Sequence, residues 1–292
     1  MTDAINLDVF CRKASTVAYI RKLLVAFEAY YNPEIRGFHH LPKHGPFLIV
    51  GNHSGGAESV DYWGFLAHWI DHRGPEAPLY SLTYDLLFAV PKLGTMLREC
   101  GFVPASHENA SHALQLGAPV AVFPGGDYEV FRPWRDRTRI DFGGRTGFIS
   151  LALRERVPIV PMTIHGTHES TFVLTRGRRI AHWSGLDRMR VKVFPLIFSI
   201  PFGITPAFVP TLQMPSKITI EIGKPIRWMH HPASDADDEE VLRTCYEEIT
   251  ATMQATMDRL VAERPWPILT RLGELRPDRL VMRSVSRWWG GK

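Results

Sequence analysis

Apolar positions recur along this chain in two alternating rhythms. Between Ser15 and Tyr31, Val17, Ile20, Leu23, Leu24, Phe27 and Tyr30 or Tyr31 fall at helical spacing, with Lys22 opposite and Arg21 at the boundary. This predicts an amphipathic helix, which either packs on the core or lies flat on a membrane. Pro46 to Val50 is a short apolar run bounded by turn residues and predicts a buried strand. A glycine loop follows, and Asp61 opens a helical pattern, DYWGFLAHWI, as its N-cap.

The unit then repeats. Leu79 to Thr83 predicts a strand and Leu86 to Arg98 a helix. Asn109 to Leu116 predicts a helix leading into the strand Pro119 to Phe123, which ends at Pro124-Gly125-Gly126. Gly144 to Arg156 predicts a helix, Pro158 to Ile164 a strand, Ile218 to Ile222 a late strand, and Asp238 to Val261 a long closing helix. Strands alternating with helices imply an α/β fold with a mostly parallel central sheet flanked by helices. The expected organisation is an N-terminal amphipathic helix (1–34), a catalytic domain (35–230), a closing helix (231–263) and a basic, Trp-containing C-terminal extension (264–292).

Composition adds limits. The 292 residues suit one catalytic domain with terminal extensions, and 45% hydrophobic content supports a large core. The three cysteines, Cys11, Cys100 and Cys245, are widely spaced, with no CxxC, so neither a disulfide framework nor a zinc site is expected. The N-terminus lacks the basic-then-apolar order of a signal peptide, which predicts a reducing, cytoplasmic setting. The net charge of +4 favours anionic partners. Its distribution matters more: from Arg264 to Lys292 seven basic residues face two acidic ones, alongside Trp266, Trp288 and Trp289. That mixture suits a lipid headgroup layer or, equally, a surface helix with a tail. Val193 to Ser216 carries no charge but five prolines, so it predicts no spanning helix; it must lie in protein, line an apolar cavity or touch lipid.

In open parallel sheets, ligands bind at the carboxyl ends of the strands. Two motifs stand there. In GNHSGGAESVD (51–61), His53 follows a buried strand and is followed by Glu58 and Asp61. A histidine acts as a base near neutral pH, and a carboxylate on its other nitrogen fixes the tautomer. In VFPGGDYEVFRPW (122–134), Gly125 and Gly126 form a turn whose backbone N–H groups suit an oxyanion. At the same rim, Arg145 opens a helix and either holds a phosphate or pairs with Asp141. GxSxG, GxGxxG, HExxH and the Walker phosphate loop are all missing.

The chain resembles the lysophospholipid/glycerol acyltransferase superfamily, in particular the branch similar to monoacylglycerol and diacylglycerol acyltransferases. The likeness covers about residues 35–230. It rests on GNHSGG with Asp61, GFVPASHENA (101–110), VFPGGDYE (122–129), RTGFISLAL with VPIVPM (145–162) and PSKITIEIGKPI (215–226), all in order. It implies a catalytic His–carboxylate pair, an acyl-CoA or acyl-carrier-protein donor with no bound cofactor or metal, and a glycerolipid or lysophospholipid acceptor. It also implies a peripheral position on the cytoplasmic face of a membrane, with anionic lipid rather than nucleic acid as partner. His53 takes the place of the family histidine. The family carboxylate lies five residues on, which is Glu58, yet it also opens the next helix, which is Asp61; Asp61 is preferred and Glu58 is the alternative. FPGG replaces the commoner FPEG, removing a glutamate for which Glu129 partly stands in, and this admits a neutral glyceride acceptor. Ser54, Gly55, Gly125, Gly126, Glu129 and Arg145 are the expected substrate-binding residues. Two rivals remain: a lipid thioesterase or hydrolase on the same site, which needs water rather than an apolar wall, and a non-catalytic lipid-binding protein, which needs no His–carboxylate pair.

Overall fold

In the computed structural model, the apolar runs become the strands of one central sheet. It describes residues 10–53, 60–177, 182–183, 194–199, 203–207 and 213–275. The sheet strands are β1 (Glu34–Arg36), β2 (Leu48–Gly51), β3 (Tyr80–Thr83), β4 (Phe102–Pro104), β5 (Val120–Val122), β6 (Ile159–His165) and β10 (Thr219–Ile222). Their spatial order is β1-β10-β6-β2-β5-β3-β4. From β6 to β4 every pairing is parallel, while β10 runs antiparallel to β6 and parallel to β1.

Period-two alternation on the central strands feeds two cores. Ile49, Ala121, Val160 and Met162 face one way, against α1 (Ala14–Tyr31), α2 (Val60–Arg73) and α3 (Pro91–Glu99). Leu48, Val50, Val120 and Ile159 face the other, against α4 (His107–Gln115), α6 (Gly147–Glu155) and α7 (Glu239–Glu263). Because helices cover both faces, β2 and β6 are buried at every position, which is why β2 reads as an unbroken apolar run and β6 as one broken only by Thr163 before its last residue, His165. The fold is therefore α/β, with a mostly parallel sheet between two helical layers.

The N-terminal helix belongs to this body. Val17, Ile20, Leu24 and Tyr31 are buried in the first core, and Arg21 forks onto Asp71 of α2 at 2.6 and 2.7 Å. Its outer side still exposes Tyr19, Leu23 and Val25. At its C-terminal end, Arg271 of α8 (Pro267–Glu274) donates from Nε to the Tyr30 carbonyl at 2.8 Å and from Nη2 to that of Ala29. A buried cation thus meets carbonyls that the last helical turn leaves open. The helix α8 in turn exposes Trp266, Leu269 and Leu272 around its outer surface.

Three details depart from the sequence expectations. The stretch 86–98 is not one helix: a 3₁₀ turn at Asp85–Ala89 gives way to α3 at Pro91, because proline has no N–H to continue the ladder and fits the first helical turn. The helix α2 begins at Val60, so Asp61 lies inside its first turn instead of capping it. Part of the proline-rich uncharged stretch is extended: β8 (Leu196–Ser199) pairs antiparallel with β7 (Phe172–Thr175) and β9 (Gly203–Pro206) in a separate small sheet. Val173 and Ile197 are buried on one side of that sheet, and Phe198 and Ile204, cross-strand partners, are exposed on the other.

Candidate active site

Strands β2 and β5 lie side by side in parallel, with Val50 opposite Val122. From β2 the chain crosses over one face through α2 to β3. From β5 it leaves over the opposite face through α5 (Gly126–Val130) and α6 to β6. The two exits diverge, opening a crevice at the carboxyl ends of β2 and β5, which is where open α/β sheets bind ligands. His53 stands three residues past Val50 and Gly125 three past Val122, so the topology brings the two sequence motifs together.

His53 is half-buried and its backbone is held from two sides. The preceding Asn52 is buried and exchanges two side-chain hydrogen bonds with the backbone of Ile164. The His53 N–H donates to Glu129 Oε2 at 2.8 Å. The imidazole packs on the Phe123 ring, centroids 4.7 Å apart, and Phe123 in turn meets the Tyr62 ring edge-on at 5.9 Å. Burial holds the Tyr62 hydroxyl well above the usual phenol range, and it meets Ser81 Oγ as a neutral partner.

The glycine turn is built around one carboxylate. Gly126 has φ +44°, a left-handed conformation that side chains disfavour. Gly125 is in the ordinary helical region, with φ −65°, yet a Cβ there would lie 2.1 Å from Glu129 Cγ and 2.3 Å from its Oε2. Glycine at 125 therefore leaves the space that the Glu129 carboxylate fills. Glu129 is fully buried, and its Oε1 meets Arg132 Nη2 at 2.5 Å. The Gly126 N–H donates to the Phe123 carbonyl at 3.1 Å and is thus committed to the turn, which leaves the Gly125 N–H as the oxyanion donor to consider.

Arg145 staples the same turn from outside. It reaches the carbonyls of Pro124 and Gly125 at 3.1 and 2.8 Å and Asp127 Oδ1 at 2.7 Å. The expected partner Asp141 meets Arg139 at 3.7 Å and the Tyr128 hydroxyl at 3.2 Å instead. Of the other expected residues, Ser54, Gly55 and Glu58 lie outside the described residues, as does the side chain of Asp61.

Sequence reasoning missed the supporting polar groups. Behind Arg132, His168 Nε2 lies 3.0 Å from the Arg132 carbonyl. Glu169 receives Arg137 at 3.8 Å and His165 at 3.5 Å, and His165 Nε2 sits 3.0 Å from the Arg264 carbonyl. His165, His168 and Glu169 are all buried. The available signal was IHGTHES, two histidines and a carboxylate gathered at the end of a mostly apolar strand. Among the described residues no group of three or more His, Cys, Asp or Glu side chains is placed to hold a metal ion.

The Acyltransferase family model matches residues 32–165, which hold both β2 with His53 and β5 with the glycine turn. An uncharacterized protein of Mycobacterium tuberculosis is 33% identical over 251 residues, 85% of this chain and 67% of its own length. A bovine protein named DGAT1/2-independent enzyme synthesizing storage lipids is 28% identical over 189 residues, 64% of this chain and 54% of its own. The crystal structure of the 1-acyl-sn-glycerophosphate acyltransferase of Thermotoga maritima is similar with TM-score 0.45 and 18% identity, covering 82% of each chain. The chain belongs to the lysophospholipid/glycerol acyltransferase superfamily and is an acyltransferase.

Proposed function

We propose that the chain moves a fatty acyl group from an acyl thioester, on CoA or an acyl-carrier protein, to a hydroxyl of a glycerolipid or lysophospholipid, with His53 as general base. The observation that carries this reading is the placement of His53 beside the Gly125–Gly126 turn, at the ends of adjacent parallel strands. His53 takes the acceptor proton as the hydroxyl attacks the thioester carbonyl. Asp61, or Glu58 as the alternative, orients the imidazole and stabilises the imidazolium. The Gly125 N–H supports the developing oxyanion, and protonated His53 assists the leaving thiolate. No acyl-enzyme is required, which agrees with the absence of a nucleophile elbow from the sequence.

The name of the bovine relative, an enzyme synthesizing storage lipids, supports a lipid acceptor, and a lipid acceptor supports work at a membrane surface. No helix of the described residues is long and apolar enough to cross a membrane. The exposed apolar residues of α1 and α8, with the basic segment from Arg264 onward, are the proposed contacts with anionic lipid. The test is to incubate pure protein with labelled acyl-CoA or acyl-carrier protein and a panel of lysophospholipids, mono- and diacylglycerols, then analyse the lipids. A labelled glycerolipid that disappears with His53→Ala is expected. Free fatty acid as the sole product would make the enzyme a thioesterase.

A further inference from the structure

We propose that Glu129 is a positioning residue, a buried clamp that sets the backbone of His53 against the glycine turn. The proposal rests on His53 being the general base. Glu129 is rooted in α5, beyond the turn, yet its carboxylate reaches back over Gly125 and receives the His53 N–H at 2.8 Å. One side chain therefore touches both halves of the site: the peptide of the base and the floor of the turn.

The geometry is over-determined. A carboxylate with no exposed surface must be paired, and Arg132, itself buried, meets Oε1 while Oε2 faces His53. With its cation on one oxygen, the carboxylate keeps the other directed at the His53 peptide, where a charge-assisted bond is short and directional. The Gly125 backbone accepts any residue, since its φ is −65°. The three atoms that a Cβ there would meet first all belong to the Glu129 side chain, so the absent side chain at 125 and the carboxylate at 129 are two parts of one device. An imidazole hung from a fixed peptide and packed on Phe123 has little freedom left.

The acceptor bond can be separated from the charge pair. Glu129→Gln and Glu129→Leu are each made with Arg132→Met, so that neither leaves a buried cation alone. The amide still accepts from the His53 N–H and leucine does not. Since a misplacement of about 1 Å can cost about 100-fold in rate, the leucine variant should lose about 100-fold in kcat with KM values within about threefold, and the glutamine variant about tenfold at most. Equal kcat for the two, or a loss confined to KM, overturns the clamp. His53→Ala is measured alongside: if it stays active, the base reading falls and the clamp with it, whereas an inactive His53→Ala with equal double variants sinks the clamp alone. If the double variants do not fold, Gly125→Ala decides. It keeps every polar group but pushes the carboxylate off the turn, so kcat should fall, and an unchanged kcat overturns the proposal.

Discussion

Asn52 satisfies both backbone groups of Ile164: its Nδ2 donates to the carbonyl at 2.9 Å and its Oδ1 accepts from the N–H at 2.7 Å. The β2–β6 ladder ends one pair earlier, at Gly51 and Met162. The Asn52 side chain thus extends the sheet by one rung after the strand has stopped, leaving the backbone free to turn toward His53. Asn52→Leu orphans a buried donor and a buried acceptor, each costing about 1–3 kcal/mol. Urea unfolding should show that loss, and turnover should fall with it. Wild-type stability in the variant would mean that the rung is dispensable.

The two carboxylates after His53 separate by kinetics. Asp61→Asn should lower kcat more than Glu58→Gln if the residue in the first turn of α2 is the partner. The opposite ranking moves the role to Glu58. Unfolding must be followed alongside, because an acid in a first helical turn is worth about 0.3–1 kcal/mol by itself.

Arg145 spans two carbonyls and Asp127, a set of acceptors that one planar fork can meet at once. Arg145→Lys keeps the charge but not the fork. We expect it to recover only part of the activity lost in Arg145→Ala, at unchanged global stability. Full recovery by lysine would show that only the charge matters.

His68 on α2 titrates against folding. Its ring stacks on His72 at 3.9 Å and meets Phe38 edge-on at 4.8 Å, and burial, followed by the neighbouring His72, pushes its pKa down to about 4 from 6.5. Between those values the unfolded chain binds the proton that the folded chain refuses. Stability contributed by neutral His68 is therefore present above pH 6.5 and lost as pH falls toward 4. His68→Leu should flatten this acid limb, read as the urea midpoint at pH 5 relative to pH 7.5. An unaltered limb would assign it to other groups.

Membrane docking can be read by flotation on vesicles. Binding should be strongest on anionic liposomes and only partly reversed by salt, since charge attraction is screened and apolar insertion is not. Leu23→Asp in α1 and Leu269→Asp in α8 should each weaken it without loss of fold, both side chains being exposed. Intact protein that stays unbound on both vesicle types at low salt removes the membrane from the reading.

By itself the sequence determined what local periodicity can carry. The runs at 46–50, 119–123 and 158–164 predict the central strands, and their motifs predict that His53 and Gly125–Gly126 stand at strand ends. Such signals need no partner, because burial on both faces leaves a nearly unbroken apolar run. The three-residue strands β1 and β4, the small sheet of β7, β8 and β9 and the short α8 are too brief or too interrupted to show a period. Tertiary structure alone decided the strand order that opens the crevice between β2 and β5. It also decided the partners of the site: Asn52 meets Ile164 across 112 residues, and Glu129 meets His53 across 76. A buried carboxylate or amide is tolerated only where the fold delivers its counterpart, and no window of neighbouring residues records which distant group that is.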